Sequence, residues 1–88
     1  MNQTPEPQPI VGYIVHATRT EPGEKLRIRE YLVGIPNRDA AAGAVISAYP
    51  DLDDGFHVEA SFGLTIADAR RFSLSEGEIR IGDDRLEG

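Results

Sequence analysis

His16, His57 and Glu59 are the residue types in this chain best suited to hold a divalent metal or to move a proton. Imidazole and carboxylate are common ligands of zinc and of related cations. His16 falls in an apolar segment at 10–18, and His57 and Glu59 in an alternating one at 56–62. If the two segments are neighbouring strands, the three side chains share one sheet face. The local spacing supplies no further support, because neither an HxH pair nor an HExxH run is present. The more ordinary role for such groups is that of half-exposed histidines on a strand.

Other candidate groups are weaker still. Asp51-x-Asp53 with Gly55 matches only the start of a calcium-binding loop. The glycine falls one place early, and Phe62 stands where a bidentate glutamate is required. Ser47, Ser61, Ser73 and Ser75 lack the G-x-S-x-G setting of a nucleophile elbow. Arg27 and Arg29 alternate on one segment with Arg19 across a turn, a strip able to attract a small anion. Glu21, Glu24 and Glu30 lie beside it, so a self-compensated, solvated face is the expectation. Among the catalytic and cofactor-binding possibilities, none is assigned.

These groups need strands and helices to position them. Residues 10–18 are rich in Val, Ile and Tyr and read as strand one, apolar on both sides and so central in its sheet. Glu21-Pro22-Gly23-Glu24 has the proline and glycine of a type II turn. Strand two is expected over 26–35. Its apolar positions change phase after Glu30, which a bulge there would repair. Asn37 caps a helix over 38–49, with Asp39 at its positive end and Pro50 as its stop. Strand three is expected over 56–62, with Phe56, Val58, Ala60 and Phe62 on its buried side. Thr65 and Asp68 form a capping box for a short helix at 66–72. A turn over 73–77 precedes a short edge strand at 78–81. Gly12 and Gly34 are explained by close packing or a bend.

The expected architecture is therefore an α+β two-layer sandwich in the order β-β-α-β-α-β. Its sheet is mostly antiparallel, of order 2-1-3 plus the short edge strand, with both helices on one face. The expected core is Val11, Tyr13, Val15, Val45, Phe56, Val58 and Phe62. Residues 1–9 read as a disordered tail, 10–82 as one domain and 83–88 as a frayed C-terminus.

Composition narrows the partners. The 88 residues carry 9 basic and 15 acidic side chains, a net charge of −6. Such a surface repels phosphate, so nucleic acid and anionic membranes are not expected partners. No apolar run approaches the roughly 18 residues of a membrane span. There is no cysteine, hence no disulfide, and no basic-then-apolar leader, so a cytoplasmic home is expected. A basic complement that is almost all arginine, with much Ala, Gly, Pro and Asp, suits a GC-rich bacterial genome.

The leading functional expectation is a small non-catalytic protein-interaction or regulatory module that needs no cofactor. Its interface would be the sheet face left open by the helices, bearing Ile10, Ile14, His16, His57 and Glu59, with a two-fold homodimer the simplest way to cover it. The alternative is a small enzyme or metal-binding subunit that uses His16, His57 and Glu59. Mimicry of nucleic acid by the Asp51–Asp54 and Asp83-Asp84 clusters ranks last, because the charge is scattered.

Overall fold

The computed structural model describes residues 8–88, so most of the expected tail at 1–9 lies outside the described residues. The elements are β1 (Ile10–Glu21), β2 (Lys25–Val33), α1 (Arg38–Ala48), a 3-10 turn (Pro50–Asp53), β3 (His57–Thr65), α2 (Ile66–Arg71) and β4 (Ile79–Glu87). The fold is α+β, with one four-stranded antiparallel sheet and two helices.

Strand order is β3-β1-β2-β4. β1 lies between β2 and β3 and is antiparallel to both, as its apolar character on both faces demands. The full order differs from the expected one because the last strand is neither short nor unassigned. It runs for nine residues along the free edge of β2. The C-terminus is therefore not frayed from residue 83: Asp83–Glu87 pair with Leu26–Glu30. Its charges hide it from any search for apolar alternation. The backbone ladder holds it, together with ion pairs such as Arg27–Asp84 at 3.2 Å.

The β1–β2 hairpin closes through Pro22, Gly23 and Glu24, and Gly23 has the positive φ that the turn requires. Its register is unbroken from Tyr13–Val33 to Glu21–Lys25. β2 thus has no bulge at Glu30. The irregularity near that point belongs to β4, where Gly82 is the extra residue between the Tyr31–Ile81 and Glu30–Asp83 pairs. Odd positions of β2 all face one way: Tyr31 and Val33 are buried, while Arg27 and Arg29 continue the same face past the end of the core.

The core combines Val15 and Ala17 of β1, Tyr31 and Val33 of β2, Ala60 of β3, Ala41 and Val45 of α1, and Leu52 of the 3-10 turn. Burial of side chains the size of Val, Leu and Tyr contributes roughly 1.5–3 kcal/mol each. Tyr13, Phe56 and Val58 pack against this cluster while partly exposed. The small alanines of α1 let it lie close on the sheet, and Tyr49 at its C-cap meets Tyr31 at 4.8 Å between ring centroids. The Asn37 side chain accepts the Ala40 N–H at the helix start.

Phe62 does not belong to the core. It is 61% exposed. Between the Ile14–Phe62 and Val15–Ala60 pairs β3 carries one extra residue, Ser61, and this bulge reverses the facing of everything beyond it.

α2 contributes no buried residue. It sits at the end of the sheet beside β1 and β3, held at its start by the Thr65–Asp68 capping box. Its end is a Schellman motif: Leu74 N–H donates to Ala69 O, Ser73 N–H to Arg70 O, and Ser73 takes the left-handed conformation at φ 52°. Its C-cap residue, Phe72, lines a groove with Ile14 and Leu32, which lie on the sheet face opposite the core. Gly12 and Gly34 mark close approaches. A Cβ at Gly12 would meet the Val33 carbonyl oxygen, and one at Gly34 the Ser75 carbonyl oxygen.

Candidate functional site

The sheet face opposite α1 carries two rows of side chains that cross the strands. The apolar row is Phe62 of β3, Ile14 of β1 and Leu32 of β2, which are direct cross-strand partners. The polar row next to it is Ser61 of β3, His16 of β1 and Glu30 of β2, continued by Asp83 and Arg85 of β4.

His16 is hydrogen-bonded at both ring nitrogens. Its Nδ1 is 2.5 Å from Ser61 Oγ and its Nε2 is 2.7 Å from Glu30 Oε1. The His16 and Glu30 side chains are 23% and 32% exposed. Ser61 lies two residues beyond Glu59, the cross-strand partner of His16, and so shares its face, while the bulge adds Phe62 to the same face. Glu30 is held from its other side by Arg85, whose Nη1 is 3.5 Å from Oε2. Asp83 and Glu87 also engage Arg85, and these hydrogen bonds hold the guanidinium pKa above its usual value. Phe62 stands edge-on to the His16 ring, with centroids 6.3 Å apart.

The other expected site residues fall nearby but apart. Glu59 is the Cα partner of His16, and His57 that of Thr18. His57 and Glu59 are exposed and face each other at 3.7 Å. Both nitrogens of His16 are occupied by Ser61 and Glu30, and among the described residues no group of three or more metal-ligating side chains exists. Ile14 is half-buried in the apolar row, whereas Ile10 lies at the strand end against Gly63.

The arginine strip is internally neutralised. Arg19 bonds Glu21 at 2.8 Å, Arg27 bonds Asp84 at 3.2 Å and Arg29 bonds Asp51 at 2.6 Å. Arg19 and Arg29 also stack on the Phe56 ring, at 4.3 and 5.0 Å from its centroid. The Arg29 hydrogen bond holds the Asp51 carboxyl below its ordinary pKa. Tyr31 shifts the opposite way, its phenol pKa raised by burial and tempered by Arg29.

Two concavities lie on the surface of the described residues. A groove of about 240 Å³ is lined by Ile14, Glu30, Leu32, Phe72 and Gly82, directly beside the polar row. A larger one of about 410 Å³ lies at the end of the sheet, where Ile10, Val11, Pro36, Ala69 and Leu74 give it apolar walls.

Sequence reasoning did not join Ser61 and Glu30 to His16. Each is a common residue in a strand, far from His16 along the chain, and only the strand register joins them. No helix of the described residues is long and apolar enough to cross a membrane. No protein-family model matches the chain, and neither the curated proteins nor the solved structures contain a significant match to it.

Proposed function

We propose that this chain is a cytoplasmic protein-interaction module, and that its partner surface is the sheet face opposite α1, covered in the first instance by a second copy of the same chain. The observation that carries this reading is Phe62. A phenylalanine 61% exposed in a strand, aligned with Ile14 and Leu32 across three strands, is a costly surface to leave in water. Aromatic side chains of this kind are the usual anchors of interfaces. The rim carries both signs of charge, with His57 and Glu59 on the β3 side and Arg80, Asp83 and Arg85 on the β4 side. A mixed rim avoids the like-charge repulsion that a uniformly acidic face would bring to a two-fold contact.

The acidic net charge and the neutralised arginine strip argue against nucleic acid as the partner. Metal binding by His16, His57 and Glu59 finds less support. A metal on His16 would have to displace either Ser61 or Glu30. Light scattering across a concentration series tests the main reading. The wild type should rise above monomer mass at high micromolar concentration, while Phe62→Glu should remain folded and monomeric. A wild-type monomer throughout would remove the homodimer.

A further inference from the structure

From the Ser61–His16–Glu30 chain we infer a second property of the open face: Ser61 is an activated nucleophile toward esters with a short apolar acyl group, with His16 as its general base. The argument begins with hydrogen-bond inventory. An ionised carboxylate only accepts, so the bond at 2.7 Å to Glu30 requires the proton of neutral His16 to sit on Nε2. Nδ1 then has a lone pair and no proton, so the 2.5 Å contact with Ser61 can be made only with the hydroxyl donating to the ring. That is the arrangement a serine nucleophile needs: hydroxyl to base, and base to an orienting carboxylate. The two nitrogens are exchanged relative to the serine proteases, which the chemistry tolerates because either imidazole nitrogen is a competent base.

The surroundings fit the assignment. Arg85 beside Glu30, with Nη1 3.5 Å from Oε2, fixes the direction of the carboxylate. Glu30 is thus a positioning residue that selects the tautomer. The groove lined by Ile14, Glu30, Leu32, Phe72 and Gly82 meets the chain at Glu30, and at about 240 Å³ it suits a short acyl group and not a long one. In the reaction the Ser61 Oγ–C bond forms and the ester C–O bond breaks. The Oγ proton passes to His16 Nδ1 and from there to the departing alkoxide or aryloxide. Attack by water at the acyl carbon, with His16 again taking the proton, releases the carboxylic acid and restores Ser61.

The test is p-nitrophenyl butyrate applied to the full chain, at protein concentrations below any association seen by scattering, so that a covered face cannot mask reactivity. Mass spectrometry should place the acyl group on Ser61 roughly a hundredfold faster than on Ser47, Ser73 or Ser75 of the same molecules, the increment expected of a general base. Those serines serve as internal controls that no folding defect can disturb. Ser61→Ala should abolish the nitrophenolate burst, and Ser47→Ala, at an exposed position of α1, should leave it unchanged. His16→Gln, with its fold checked by circular dichroism, should lose the burst and recover part of it with added imidazole. The ¹⁵N spectrum of His16 should show the Nε2–H tautomer, and Glu30→Ala should scramble it. Equal labelling of all serines, a burst that survives Ser61→Ala, or a Nδ1–H tautomer in the wild type would each overturn the assignment.

Discussion

Ala60 and Phe62 stand two positions apart on β3 and face opposite sides of the sheet, the one 3% exposed in the core and the other 61% exposed. In a regular strand they would share a face. Ser61, the extra residue of the bulge, separates them, and it sets Phe62 on the face where the serine hydroxyl meets His16. Part of the apolar pattern of β3 is thereby turned outward.

Phe62→Ala should therefore be mild. Loss of a buried phenylalanine costs about 3–5 kcal/mol, but a side chain this exposed should cost under about 1 kcal/mol. Val45→Ala, at a fully buried position of α1, is the reference and should cost more. Urea denaturation of both variants measures the difference. A Phe62→Ala loss equal to or above that of Val45→Ala would mean that β3 has no bulge.

Two glycines should respond in opposite directions. Gly43 lies in mid-helix on α1 with open space where a Cβ would go, so Gly43→Ala should stabilise by about 0.8–1 kcal/mol. Gly34 exchanges backbone hydrogen bonds with Gly77 and Glu78, and a Cβ there would strike the Ser75 carbonyl. Gly34→Ala should cost about 1–3 kcal/mol by forcing the 75–78 turn away from the end of β2. Thermal melts of the two variants should move to either side of the wild type.

Ser73 takes the left-handed conformation at the end of α2, where glycine is preferred. The steric cost of that conformation for an L-residue is about 1–2 kcal/mol, partly offset by the greater unfolded entropy of glycine. Ser73→Gly should stabilise by about 0.5–1 kcal/mol, and Ser73→Val, which is β-branched, should destabilise. Chemical denaturation of the pair separates conformational strain from any side-chain role of the serine.

The capping box makes stability depend on acid. The Thr65 backbone N–H, followed by its hydroxyl, donates to Asp68 and lowers the carboxyl pKa. Because the folded value lies below the unfolded one, the contribution is present above the ordinary carboxylate range and is lost as pH falls through the lowered folded value. Melts recorded from about pH 6 down to about pH 2 should show a slope that is smaller in Asp68→Asn. Thr65→Ala should cost about 1 kcal/mol at neutral pH, and Thr65→Ser should retain most of that.

Local signals determined a good deal of this protein. Asn37 and Pro50 bracket α1, Thr65 and Asp68 start α2, and the uncharged run at 10–18 marks the central strand, because caps, breakers and β-branched runs act within a few residues. The shared face of His57 and Glu59 on β3 also followed from alternation. Tertiary structure alone decided the rest. β4 gains its place from hydrogen bonds and ion pairs with β2 that leave no apolar period to read. The facing of Phe62 depends on a one-residue bulge, and the meeting of Ser61, His16 and Glu30 on the register of three strands. Side-chain direction in a strand has a period of two, so one extra residue reverses it, and the choice of where to insert that residue is made by the packing of three strands together and not by β3 itself.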